Sequence, residues 1–227
     1  MKKKYQVMIL ALGAVAAAGV RGSLAAGSAE SQKITKTISE KTLRVTEKRK
    51  IQTNLKVNPG DIEELGYSVQ NDGGMHSTVG SYDIYTRVNV HYGFDDNGND
   101  DIIHENTPVK LNIKTGRETI NLDRYVDSYE NQYRIGDWII AYFDDEQITM
   151  YGVYPLEKGE TSDEFLSSIE FDPSIGNEYS GCRFAIETSV DAVQRDNAGS
   201  AIAAEWGVFP EFGADGSITY ISETENK

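Results

Sequence analysis

From Ser81 to Phe94 apolar and polar residues alternate almost without a break. Ile84, Thr86, Val88, Val90 and Tyr92 fall on one side of an extended chain, and Tyr85, Arg87, Asn89 and His91 on the other, because successive strand residues point to opposite faces. A period of two sustained over this length does not fit a helix. It calls for a sheet with one face on a core and the other towards water or a second chain. Shorter runs of the same kind recur from Ile62 to Gln70, Val109 to Ile113, Trp138 to Phe143, Gln147 to Tyr154, Phe165 to Phe171 and Cys182 to Val190. Turn chemistry separates them at Asn58-Pro59-Gly60-Asp61, Asn71-Asp72-Gly73-Gly74, Lys114-Thr115-Gly116, Asp144-Asp145, Glu157-Lys158-Gly159, Asp172-Pro173 and Ser180-Gly181. Many short strands spaced about ten residues apart imply an all-β chain, an antiparallel sandwich of jelly-roll-like form.

One segment departs from that rhythm. Between Asp191 and Trp206 the alanines 192, 198, 201, 203 and 204 favour a short helix, with Val190, Val193, Ala201, Ile202 and Trp206 as its buried side. The tail from Gly213 to Ile221 then supplies a last strand.

The first 25 residues concern address. Lys2, Lys3 and Lys4 precede an uncharged, mostly apolar run of sixteen residues from Tyr5 to Val20, closed by Arg21. A bilayer span takes about 20 residues, so the run is short for one. Small residues at Ser23 and Ala25 place a cut after Ala25, and residues 1–25 read as a secretory signal peptide, with an uncleaved N-terminal anchor as the alternative. Either outcome places the remainder outside the cytoplasm, secreted to the matrix or cell surface. Once a signal peptidase has cut, no stable membrane span is expected.

Charge and cysteine content remove further classes. The chain has 22 Lys and Arg against 36 Asp and Glu, a formal charge of −14. The signal segment holds four of those bases and no acid, so the remainder carries −18. Such a surface repels a phosphate backbone, which argues against nucleic acid as a partner of a folded basic face. The single cysteine, Cys182, forms no internal disulfide and excludes multi-cysteine zinc sites. It reads as a small buried hydrophobe or as an intermolecular cross-link.

Residues 26–41 are expected to form a flexible extended arm ahead of one domain, 42–227. Four of the seven residues from Lys33 to Ser39 are β-branched: Ile34, Thr35, Thr37 and Ile38. An arm of this kind is able to donate a strand to an exposed sheet edge, and these four residues are the candidate donors.

Catalytic chemistry finds little support. The histidines His76, His91 and His104 have no second His within ten residues, and His104-Glu105 is the only His-Glu pair. No Gly-x-Ser-x-Gly elbow surrounds any serine. Acid pairs such as Glu63-Glu64, Asp144-Asp145-Glu146 and Asp163-Glu164 read as solvated turns. The acidic loop is the one metal candidate: Asp95, Asn97, Asn99 and Asp101 offer the oxygen ligands that suit calcium. Asp100 stands where an EF-hand needs Gly and Asn106 where it needs Glu, so only a looser surface site is open to the ion. No other cofactor is expected.

Four segments in order resemble the TasA/camelysin family of secreted bacterial proteins. Thr42-Leu43-Arg44-Val45 with Asn58-Pro59-Gly60-Asp61 looks like its opening strands, and Tyr85 to Val90 is similar to its next strand. Trp138, Tyr151 to Tyr154, Leu156 to Thr161 and Phe165 to Phe171 resemble its central stretch, although Lys158 replaces the usual Pro. Val190-Asp191-Ala192-Val193-Gln194, Asn197 and Ala204-Glu205-Trp206 resemble its ending, and the likeness covers about 160 residues. The Ala-Tyr-Phe-Ser/Thr-Asp signature of the family is absent after the signal. The resemblance implies a jelly-roll domain that polymerises into extracellular-matrix fibres, each N-terminal strand completing a neighbour's sheet. The expectation is therefore a non-enzymatic, self-associating structural protein. Two alternatives stay open: a secreted metallopeptidase using His104 and Glu105, and a surface ligand- or carbohydrate-binding module that exposes Tyr85, Tyr92 and Tyr129.

Overall fold

The computed structural model describes residues 32–38, 41–48, 54–56, 58–72, 82–96, 99–103, 109–176, 179 and 183–225, with side chains for most of those from 58 onward. In chain order its strands are β1 (Gln32–Ile38), β2 (Lys41–Lys48), β3 (Asn54–Lys56), β4 (Ile62–Asn71), β5 (Ile84–Asp96), β6 (Asn99–Ile103), β7 (Val109–Thr115) and β8 (Glu118–Asn121). They continue with β9 (Tyr133–Ile135), β10 (Trp138–Phe143), β11 (Gln147–Gly152), β12 (Glu164–Phe171), β13 (Arg183–Gln194), β14 (Phe209–Phe212) and β15 (Ile218–Ser222). One α-helix, α1 (Ala198–Trp206), lies between β13 and β14.

The alternating segment becomes β5, the centre of the second of two facing antiparallel sheets. The first sheet runs β1-β2-β4-β12-β7-β8, and the second β3-β13-β5-β11-β10-β9 with β6 also on β5. From β4 onward the chain passes back and forth: β4 in the first sheet, β5 and β6 in the second, β7 and β8 in the first, β9 to β11 in the second, then β12 and β13 in turn. This alternation makes the fold the all-β, jelly-roll-like sandwich that the strand spacing implies.

The core lies between the sheets. Leu65, Tyr67 and Val69 of β4, Ile113 of β7, and Phe165, Leu166, Ile169 and Phe171 of β12 meet Val88, Val90 and Phe94 of β5, Ile140, Ile148 and Met150 of β10 and β11, and Phe184 of β13. The Phe94 ring centre lies 4.6 Å from Tyr179 and 5.1 Å from Phe184, and Phe171 is 5.5 Å from Phe184. Burying each such ring contributes about 1.5–3 kcal/mol, and each edge-on or tilted pair about 0.5–1.5 kcal/mol more. Disulfide staples are not needed for a core of this size. One irregularity shapes the first sheet. The β4–β12 register passes from Tyr67↔Leu166 to Glu64↔Ser168, and Gly66 absorbs the bulge at φ 62°.

The structure corrects the reading of the outer face of β5. Tyr85 is buried, and a third layer covers this end of the sheet. Helix α1 sets Ala198, Ile202 and Trp206, spaced four apart, against Ile139, Tyr151, Val153 and Val193, and the β14–β15 hairpin adds Ile218 and Ile221. The helix is also shorter than its alanines suggested. Asp191 to Gln194 continue β13 and pair with Arg87 to Ile84, so twelve residues of ladder override local propensity. The helix begins only after Asn197, at φ 59°, and stops at Gly207, at φ 70°, whose N–H bonds to Ala203 O at 3.1 Å. Among the described residues no helix is long and apolar enough to cross a membrane.

Candidate functional site

Two features stand out: the free edges of the first sheet, and a cleft at one end of the sandwich. Strand β1 contains all four candidate donor residues. Its register is Ile34↔Val45, Thr35↔Arg44, Thr37↔Thr42 and Ile38↔Lys41, so the arm forms a hairpin with β2. Strand β2 in turn joins β4 only through Val45 to Lys48. Thus β1 is the outermost strand at one end of the six-stranded sheet, and β8 is outermost at the other. The arm boundary expected after Lys41 falls at the first residue of β2.

Charge is distributed very unevenly along the chain. Residues 32–56 hold eight Lys and Arg against two Glu, while residues 57–227 hold ten bases against 33 acids. A basic hairpin is therefore attached to a strongly acidic body.

The cleft is about 290 Å³ and opens between the start of β10 and the segment joining β11 to β12. Asp137, Trp138, Tyr154, Leu156, Glu160 and Asp163 are among its lining residues. Main-chain bonds hold its wall in place: Asn71 N–H donates to Glu160 O at 3.0 Å, Gly159 N–H to Asn71 O at 2.7 Å, and Ser162 N–H to Val69 O at 2.8 Å. The Asn71 side chain, fully within the fold, donates to Tyr82 O and Leu156 O, both at 2.9 Å. Gly152 permits the closest approach at the cleft floor, because a Cβ there would lie 2.7 Å from Thr86 Oγ1.

The electrostatics of the cleft are acidic. Asp163 is held above the usual carboxylate range, first by burial and then by the neighbouring charge of Asp137, while a bond from Gly116 N–H acts in the opposite sense. Asp137 forms a 3.5 Å ion pair with Arg134, whose guanidinium lies 5.4 Å from the Tyr154 ring centre. Tyr154 is one of few exposed large aromatic side chains among the described residues. Trp138 contributes an almost wholly buried ring, packed edge-on to Phe165 at 5.9 Å.

The remaining candidates lie elsewhere. Asp95 ends up in β5, opposite Ile102 of β6 and Arg183 of β13, and Asn99 and Asp101 lie in β6. Asn97 and the side chains of all four proposed calcium ligands lie outside the described residues, as do His76, His104, Glu105 and Cys182. Among the described residues no group of three or more His, Cys, Asp or Glu side chains is placed to hold a metal ion. His91 is exposed on β5. The tyrosine platform is overturned. Tyr92 is core and donates to Asp144 O, Tyr85 is buried and donates to Gly216 O at 2.5 Å, and Tyr129 is half-buried with its hydroxyl 3.3 Å from that of Tyr151. Hairpin β14–β15 and helix α1 cover the face on which Tyr85 was expected to be free.

Sequence reasoning missed the cleft. Its one signal was the Glu157-Lys158-Gly159 turn followed by Asp163, and the acids there read as solvated. Compared with protein-family models, curated proteins and solved structures, the chain gives no significant match.

Proposed function

We propose that this protein is a secreted, non-enzymatic structural subunit that assembles end to end by adding its N-terminal strand to the sheet of a neighbour. The observation that carries the reading is the position of β1. It is a β-branched strand at the outer edge of a six-stranded sheet, attached to the body through the short β2–β4 ladder. An exposed edge offers unpaired N–H and C=O groups to another chain. Because the opposite edge, β8, is a different strand, edge-to-edge contact is head-to-tail, and a contact of that kind generates an open polymer unless its rotation closes a ring. The resemblance to the TasA/camelysin proteins and the signal-like first 25 residues support the same reading, with assembly outside the cell.

Deletion of Ala26 to Lys41 tests it. Electron microscopy of the concentrated chain starting at Ala26 is expected to show fibres, and the truncated chain is expected to stay monomeric with an unchanged β-type circular dichroism spectrum. Fibres formed equally by the truncated chain would refute strand addition.

A further inference from the structure

We propose that the cleft beside Trp138 receives a basic side chain, Lys33 or Lys36, from the β1 strand of a second copy of this chain. The inference rests on the strand-addition reading and names an acceptor site for it.

The cleft suits an extended cation. Asp137, Glu160 and Asp163 line it, and among the described residues no Lys, Arg or His does. Tyr154, Pro155 and Leu156 form an apolar wall for an alkyl stem, at the rim where the Arg134 guanidinium already lies 5.4 Å from the Tyr154 ring centre. At about 290 Å³ it falls just below the roughly 300–1,000 Å³ of sites for drug-sized ligands, a size that fits one long side chain. The three carboxylates are not grouped as metal ligands, so a point cation is a poorer occupant than an ammonium group on a flexible stem. Asp137 is already shared with Arg134 at 3.5 Å and about half exposed, whereas Asp163 has no cation within ion-pair distance among the described residues and accepts a bond from a neutral N–H, that of Gly116.

The cation source is written in the chain. Residues 32–56 carry a net charge of +6 and residues 57–227 a net charge of −23, so bodies repel one another and each attracts the arm of a neighbour. Lys33 and Lys36 are the bases of the outermost strand, the first part of the arm that a neighbouring body would meet. A soluble polyanion is the rival partner for the same lysines, and the acidic body disfavours it.

The test compares critical assembly concentrations of the chain starting at Ala26, measured by sedimentation and electron microscopy at low and high salt. Asp137→Asn with Asp163→Asn removes both charges and keeps an acceptor oxygen for Gly116 N–H. This variant is expected to keep its circular dichroism spectrum and to need about tenfold more protein to assemble. Lys33→Glu with Lys36→Glu should show a similar loss. Asp137→Lys with Asp163→Lys, mixed with that arm variant, should recover assembly, and 1 M salt should weaken the wild type. If the arm-deleted chain stays monomeric while the cleft variant assembles like wild type, the cleft is not the acceptor and strand addition stands. If the arm-deleted chain also assembles, or the wild type never does, both readings fall. Heparin binding that depends on Lys33 and Lys36, in a chain whose assembly ignores the cleft variant, would assign those lysines to a polyanion instead.

Discussion

Asn71→Leu probes the joint that holds the cleft wall to the sandwich. Asn71 is 2 % exposed, and its amide donates to Leu156 O and Tyr82 O, both at 2.9 Å. Leucine keeps the branched outline of asparagine with somewhat more bulk, and leaves the main-chain bonds to Glu160 and Gly159 intact. The Leu156 carbonyl keeps its bond from Ile84 N–H at 3.1 Å, so the loss there is one buried hydrogen bond. The bond to Tyr82 O is only part-buried. At about 1–1.5 kcal/mol for each bond the substitution costs about 2–3 kcal/mol. For a chain of 227 residues, where 1 kcal/mol moves Tm by about 2–4 °C, that is a fall of about 4–12 °C. Thermal and urea denaturation followed by circular dichroism measure it, with a lower midpoint and an unchanged m-value expected. Asn71→Asp sets a carboxylate against the same two carbonyls. It should be less stable than Asn71→Leu at pH 7 and recover as the carboxyl gains a proton to donate. A leucine variant within 0.5 kcal/mol of wild type would show that Asn71 is not the clamp described.

Burial, first among the causes, pushes the Tyr92 and Tyr151 hydroxyls far above the usual phenol range and those of Tyr125 and Tyr133 up to about 12. Unfolded phenols ionise near about pH 10, so the native state binds more protons above that pH. Stability from these groups is intact below pH 10 and is lost as pH rises further. Phenolate absorbance should therefore appear together with loss of the folded circular dichroism signal, and thirteen tyrosines titrating near pH 10 in a folded chain would contradict this. Ile202→Ala removes a wholly buried side chain from the third layer and should cost about 2–5 kcal/mol in urea denaturation; a cost below 1 kcal/mol would mean the helix is loosely docked.

Periodicity located the sandwich because its signal is local. Ile84, Thr86, Val88, Val90 and Tyr92 share a face by geometry alone, and all five are buried. Strand β10 runs from Trp138 to Phe143 as its apolar run suggested. What failed was decided by partners distant in sequence. Asp191 to Gln194 look helical until β5 is placed beside them, and Tyr85 looks free until residues 209–222 fold over it. Strands β8, β9 and β14 span only three or four residues, too few for a period to register. The cleft was illegible for the same reason. Asp137 and Asp163 are 26 positions apart, and only the β10–β11 hairpin and the turn into β12 bring them to one opening. Asn71 read as turn chemistry, since its short amide serves a turn and a buried clamp equally well.

The segregation of charge bears on how such an edge avoids indiscriminate pairing. Two β1 edges brought together would set Lys33 and Lys36 of one chain beside those of another, and like charges across a ladder destabilise it. Edge lysines are a common guard against this contact. Addition to the acidic body of another copy reverses the sign, because Glu118 on β8 and the carboxylates of the cleft attract the same lysines. The charges that would disfavour a closed two-fold dimer would thus favour the proposed head-to-tail contact. The overall −14 conceals this, because only the division at about residue 56 separates a positive strand from the negative surface it would seek.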